Sequence, residues 1–248
     1  MVKTCVMSDL HGNLPVITER FDLFLICGDI VPAHDHYYSF QKEWMENEFV
    51  EWVNCLPFKS TGSKVVITPG NHDLVLERWD DNDYIYMNKL TNGRLIILRN
   101  KEYVFEYEDY EAEITTLPSA YNLVPITKQL KIFGTPYCQI FGNWAFMRTD
   151  SKLKEKFNEI PEGIDILISH SAPKIEKYGV IQQGYYNKNA GCPILAEAIK
   201  EKKPKYVFCG HIHSGDHNLK NIDGISIANV SYVDEAYNPT NNVLKLYI

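Results

Sequence analysis

Along the chain, short apolar runs rich in β-branched residues stop abruptly at glycine or at a polar cluster, the pattern of buried strands that end in loops. Val2 to Met7 stops at Ser8-Asp9, Phe21 to Cys27 stops at Gly28-Asp29, and Lys64 to Thr68 stops at Pro69-Gly70. Between the last two, Gln41 to Leu56 carries Trp44, Met45, Phe49, Trp52 and Val53 near the helical period, which predicts an amphipathic helix closed by Pro57. Arg94 to Thr116 predicts consecutive antiparallel strands, and Leu130 to Phe133 another, ended by Gly134. Ile164 to Ser169 predicts a buried strand running into His170, Cys192 to Lys200 a helix, and Lys205 to Cys209 a strand running into Gly210-His211. Ile225 to Asn229 and Val243 to Tyr247 are the last expected strands. Strands with intervening helices predict an α/β fold with a two-layered β-sheet sandwich core flanked by helices. No repeat, low-complexity tract or Gly/Ser-rich linker divides residues 1–248, so one continuous domain is expected.

The polar clusters sit where the apolar runs stop, and sites in open α/β sheets gather at the carboxyl ends of strands. In Ser8-Asp9-Leu10-His11-Gly12-Asn13, residues two apart in an extended segment point to one side, so Asp9 and His11 can grip one ion together. Asp29, after Gly28, offers two carboxylate oxygens, enough to bridge two ions. In Gly70-Asn71-His72-Asp73, Asn71 offers a neutral carbonyl oxygen suited to a hard divalent ion. His72, next along, points elsewhere, and Asp73 is expected to orient it by a hydrogen bond. His170 follows a strand, and Gly210-His211-Ile212-His213 places two imidazoles on one side. Each cluster alone can be an ordinary turn. In this order, holding five of the eight histidines, they argue jointly for a metal site.

Charge narrows the substrate. The formal net charge of -7 disfavours extended contact with DNA or RNA, yet admits a small phosphate because bound metal ions invert the local charge. The six cysteines form no Cys-x-x-Cys pair, and Cys5, Cys27 and Cys209 lie in apolar runs as reduced core thiols. Met1 to Asp9 has no signal-peptide core, and no apolar run approaches the ~20 residues that cross a bilayer. A cytoplasmic protein without membrane contact is expected.

The clusters from Asp9 to His213 resemble those of the calcineurin-like metallophosphoesterase superfamily. Gly134-Thr135-Pro136-Tyr137, Trp144-Ala145-Phe146, Gly191-Cys192 and Asn229-Val230-Ser231 further resemble its branch of metallophosphoesterase-domain-containing proteins related to class III cyclic nucleotide phosphodiesterases. The resemblance implies two divalent metal ions. One would be held by Asp9, His11, Asp29 and His213, the other by Asp29, Asn71, His170 and His211, with Asp29 bridging. These donors suit manganese, iron, nickel, cobalt or zinc alike, and manganese is the metal expected. The implied reaction is hydrolysis of a small phosphate ester, a diester foremost and a nucleotide among the candidates, by a hydroxide bridging the two ions. His72 is expected to protonate the leaving alkoxide, and Asn13 to contact the phosphate.

One departure excludes a substrate class. Protein Ser/Thr phosphatases of the superfamily follow the second cluster with an Asp-Arg-Gly pattern, whereas this chain has Ile30-Val31-Pro32-Ala33, which argues against phosphoproteins. The alternatives are a nuclease, which needs a basic groove, and a binding module that has lost turnover, weakened because every ligand position is filled. The loops Pro32 to Phe40 and Tyr178 to Asn189 are expected to set specificity. His34 and His36 read as a solvated loop, His217 as exposed, and Lys152 to Lys156 and Lys200 to Lys205 as solvated helix faces. Tyr137 is the tyrosine best placed to stack on a base.

Overall fold

The computed structural model describes residues 1–114, 121–183 and 186–248. Strands β1 (Lys3–Met7), β2 (Leu23–Cys27), β3 (Lys64–Thr68) and β4 (Leu95–Ile97) lead into the long pair β5 (Lys101–Ile114) and β6 (Tyr121–Thr135). After the short pair β7 (Cys138–Gln139) and β8 (Met147–Arg148) come β9 (Ile166–Ser169) and the hairpin of β10 (Val180–Gln183) and β11 (Tyr186–Asn189). The last strands are β12 (Tyr206–Cys209), β13 (Lys220–Ile222), β14 (Ile225–Asn229) and β15 (Leu244–Tyr247).

Two sheets form. The five-stranded sheet has the order β15-β1-β2-β3-β4 and is parallel except for β15 at its edge. The six-stranded sheet has the order β13-β14-β12-β9-β6-β5, with a parallel centre and antiparallel edges. Val6, Leu23, Leu25 and Val66 of the first sheet meet Ile132, Ile166, Ile168 and Phe208 of the second in one buried layer. The alternate residues Cys5, Met7, Phe24, Ile26, Val65 and Ile67 pack on the outer side with helix residues Trp44, Met45, Phe49 and Val53. Burial of both faces explains why these strands read as unbroken apolar runs. Cys5, Cys27 and Cys209 are buried free thiols. Among the described residues no helix is long and apolar enough to cross a membrane.

Several elements differ from the sequence expectation. The helix expected over Gln41 to Leu56 is α1 (Tyr38–Trp44), a π-helical turn (Met45–Phe49) and α2 (Val50–Cys55), with Met45, Phe49 and Val53 buried. Arg94 to Thr116 does not fold into neighbouring antiparallel strands. β4 runs parallel to β3 in the first sheet, while β5 is one strand of 14 residues that crosses to the second sheet and pairs with β6. Thr115 and Thr116 lie outside the described residues. β6 starts well before Leu130, and Pro125 is tolerated because it lies where β6 pairs only with β5. Helices α3 (Leu74–Arg78) and α4 (Asp81–Leu90) had no expected counterpart, although Asp80 and Asp83 form a reciprocal capping box at the start of α4. The later helices are α5 (Asp150–Asn158), which exposes Lys152 and Lys154 but buries Leu153 and Phe157, and α6 (Pro193–Lys202).

The sheets approach closely at Gly134 of β6, where an added Cβ would lie 2.5 Å from Leu98 Cβ. Gly134→Ala is expected to destabilise the fold by about 1–3 kcal/mol, read as a lower urea midpoint with an unchanged m-value.

Candidate metal centre

The parallel strands of both sheets end at one place. Ser8, after β1, forms a parallel bridge with Ser231, after β14, and this bridge joins the two sheets at their carboxyl ends. Asp9, Asp29, Asn71, His170 and His211 follow β1, β2, β3, β9 and β12 respectively. The turns that present them are strained. Asp9, His11, Asp29 and His211 have φ of 53°, 45°, 51° and 69°, a region that side-chain-bearing residues rarely occupy. Such outliers persist only where their surroundings enforce them, and they cluster at functional sites. Gly28, with φ 95°, has no room for a side chain: a Cβ there would lie 2.5 Å from His170 Nδ1.

All seven expected ligand residues converge. Asp9, His11 and His213 form one group and Asp29, His170 and His211 another, with the donor atoms of each within 4.8 Å of one another. The groups adjoin through Asp29, whose Oδ2 lies 3.6 Å from His11 Nε2 and 3.4 Å from His170 Nε2. Asn71 Oδ1 stands 2.9 Å from His170 Nε2. Outer hydrogen bonds aim the rings. His170 Nδ1 donates to the Cys27 carbonyl at 2.9 Å, and His213 Nδ1 donates to the Asp234 carbonyl at 2.9 Å. Both therefore turn Nε2 inward, the arrangement that orients metal-binding imidazoles. His11 Nε2 and His213 Nε2 face each other at 3.3 Å, close enough to share a proton in a hydrogen bond or to turn both lone pairs toward one cation.

Titration states fit the same alternatives. Burial opposes charge on His170, but the adjacent Asp29 carboxylate outweighs it and holds the ring up at about 9. His213 is likewise held up at about 9, burial being outweighed by its hydrogen bond to Asp9. Burial pushes His11 down to about 4 and, with the charge of His170, pushes His211 down to about 3. Burial would raise both carboxylates, yet the neighbouring imidazoles hold Asp9 and Asp29 below the usual range. Two buried carboxylates thus draw protons onto imidazoles where a divalent ion would displace them. Oxygen and imidazole donors without a thiolate fit such an ion.

Asp9 is also fixed from the protein side. It accepts from His211 N at 3.0 Å and from Ser231 Oγ at 2.7 Å, and Asn229 Nδ2 holds the Ile212 carbonyl at 2.8 Å between the two histidines. The cluster opens into a cavity of about 610 Å³ lined by Phe141, Ile181, Lys174, Lys188, His72 and Tyr237 among others.

The remaining expected residues sit as follows. His72 lines the cavity, and its backbone N–H donates to Asp29 Oδ1 at 2.7 Å. Asp73 does not orient the His72 ring: its buried carboxylate accepts instead from the backbone N–H groups of Ile30, Val31 and Gly70, at 2.8, 3.0 and 2.7 Å. Burial and the charge of Asp29 raise its pKa to about 7. The partner of His72 is His36, whose Nε2 lies 3.2 Å from His72 Nδ1, so the loop read as merely solvated reaches the site. His34 stays exposed against Phe40. Asn13 donates its amide to the carbonyls of Leu10 and Tyr237, at 2.9 and 3.5 Å, which leaves no side-chain donor for phosphate. Tyr137 is buried against Phe146 and beneath Arg148, away from the cavity lining, so it is no base-stacking residue. His217 is half-buried, with Nε2 3.0 Å from the His213 carbonyl. Phe141 and Tyr237 were missed. Their rings lie 5.2 Å from His211 and 4.6 Å from His11, and neither has a motif around it that could have marked it.

Known proteins resemble this chain in sequence or in fold. The sequence is 27% identical over 196 residues to metallophosphoesterase domain-containing protein 1 of Homo sapiens, covering 78% of this chain and 56% of that protein. It is 28% identical over 223 residues to probable rhamnogalacturonate lyase C of Emericella nidulans, covering 87% of this chain but 17% of that protein. The chain thus spans about half the length of the first relative and a small part of the second. Among solved structures, TT1561 of Thermus thermophilus has the same fold, with a TM-score of 0.52 at 9% identity over 92% of this chain and 88% of that one. The model of the calcineurin-like phosphoesterase family matches residues 2–215, and the chain belongs to that family.

Proposed function

We propose that this chain is a phosphodiesterase that works with two divalent metal ions, manganese foremost, and hydrolyses a small diester carrying an organic group, a nucleotide among the candidates. The observation that carries the reading is the pair of Asp/His groups joined by Asp29 at the floor of one cavity. Asp9, His11, Asp29 and His213 would hold one ion, and Asp29, Asn71, His170 and His211 the other. When bound, two such ions supply Lewis acidity and activate water at neutral pH.

The chain's own residues supply the rest. Asp9 and Asp29 are ionised, so the centre already carries charge for the ions. His72, locked at its backbone to Asp29, stands in the cavity as the group that protonates the leaving oxygen. Asp73 supports the site indirectly, by tying the turn after Asp29 to the turn before Asn71. The cavity volume lies in the range of pockets that hold whole organic ligands. Exposed Phe141 beside His211 offers a face for a planar group, and Lys174 and Lys188 offer charge for an anionic substrate. The buried free thiols suit the reducing cytoplasm.

Three outcomes test this reading. Chelator-stripped protein resupplied with Mn²⁺ should hydrolyse bis-p-nitrophenyl phosphate faster than p-nitrophenyl phosphate, and Asp29→Asn should abolish both activities; metal-independent turnover would defeat the proposal. His72→Ala should lower kcat/KM on alkyl esters by about 10²–10⁴-fold, with a much smaller loss on p-nitrophenyl esters, which leave unaided. The third outcome concerns pH. The folded values of His170 and His213, about 9, lie above the ordinary imidazole value. Their ion pairs therefore stabilise the metal-free protein fully below about pH 6.5, and this contribution is lost as pH rises through about 9. Mn²⁺ must displace those protons, so calorimetry in buffers of different ionisation enthalpy should show net proton release near pH 7, and affinity should rise toward pH 9.

A further inference from the structure

His36 is exposed, does not line the cavity, and touches none of the ligand residues by hydrogen bond among the described residues. It is nevertheless held in one place. Its Nε2 lies 3.2 Å from His72 Nδ1. The Trp144 ring packs against both imidazoles, with centroids 4.5 Å from His72 and 4.9 Å from His36. Beneath them, the fully buried Gln41 donates from Nε2 to the His72 carbonyl at 2.9 Å and reaches the Asp35 carbonyl at 3.5 Å, while its Oε1 accepts from Val75 N at 3.0 Å. Asp35 in turn accepts from Tyr37 N at 2.8 Å. One buried amide thus fixes the backbone on either side of the two rings. Holding an exposed loop in this way costs chain entropy, and the contact it secures is the one between His36 and His72.

We infer that His36 is a positioning residue for the phosphodiester hydrolysis proposed above. It occupies Nδ1 of His72, so the ring presents Nε2 to the leaving oxygen. The inference rests on His72 being the acid of that reaction. In the step, protonated His72 donates Nδ1–H to His36 Nε2 and gives its Nε2 proton to the leaving oxygen. Water forms the new bond to phosphorus and gives up a proton to solvent, the P–O bond to the leaving group breaks with its electron pair on that oxygen, and His72 is left neutral until solvent returns a proton. Without His36 the ring can rotate about its side-chain bonds or satisfy Nδ1 with water, and Nε2 no longer meets the leaving oxygen in a fixed geometry. Trp144 limits ring tilt but offers Nδ1 no acceptor.

The test uses two diesters of the same shape and different leaving groups, bis-p-nitrophenyl phosphate and diphenyl phosphate, with the Mn²⁺-loaded chain and metal content matched between variants. Phenoxide leaves less readily than p-nitrophenoxide and depends more on an acid. His36→Phe should lower kcat/KM on diphenyl phosphate more than on bis-p-nitrophenyl phosphate by on the order of tenfold, the scale at which small misplacements of a catalytic group act. His36→Gln, whose amide can reach the position of the imidazole Nε2, should recover most of that difference. Equal losses on the two esters, no loss, or failure of His36→Gln to differ from His36→Phe would overturn the inference while leaving the proposed function intact. His72→Ala is the reference: if it shows no leaving-group selectivity, the acid reading falls and the role of His36 falls with it.

Discussion

The constraint on which the site depends is the burial of two carboxylates, Asp9 and Asp29, at the seam where both sheets end. Ionised carboxylates away from water are costly unless paired and hydrogen-bonded. Hydrogen-bond donors and imidazoles beside them answer that cost. Asp29 receives the His72 N–H and lies between His11 and His170, and Asp9 receives the His211 N–H and the Ser231 hydroxyl and faces His213. The imidazoles are in turn aimed by the carbonyls of Cys27 and Asp234. A chain folding for stability alone would gain more by filling such a seam with apolar side chains. Retaining charge there makes physical sense as preparation for a cation.

The backbone carries a related cost. Four of the candidate ligand residues sit at positive φ, and each such non-glycine residue costs on the order of 1–3 kcal/mol. The strain follows from geometry. At these four positions a sharp left-handed turn brings the side chain into the cluster, whereas Asn71, His170 and His213 reach it without one. Asp73 helps to hold those turns, since one carboxylate accepts from both the turn after Asp29 and the turn before Asn71. The burial that raises its pKa reflects this position inside the framework.

These physical distinctions decide what was legible in sequence. The central strands were readable because burial on both faces removes polar residues until the strand ends, and the ligands follow at that boundary. β5 was misread because its charged and aromatic residues alternate on a partly exposed surface, and nothing in a local window says which sheet a strand joins. Asn13 and Asp73 sit in the right motifs, yet their side chains are consumed by backbone groups brought near by the fold. His36 shows the converse: its neighbours in sequence are those of a solvated loop, and only the packing of Gln41, Trp144 and His72 gives it a partner.

The same boundary separates chemistry from selectivity. Ligands on strand ends inherit the rigidity of two packed sheets, which is what a metal pair needs, because small changes in donor position alter coordination. The far wall of the cavity comes from Phe141, the loop around Tyr237 and the β10–β11 hairpin, which stand clear of the sheets. Side chains on such segments can change without disturbing the carboxylates or their imidazoles. A centre able to act on many phosphate esters can therefore be restricted to one class by the loops alone. His72 lies between the two regimes, its backbone tied to Asp29 and its ring to a loop. On the role proposed for His72, proton delivery to the leaving group is the point at which the loops reach the chemistry itself.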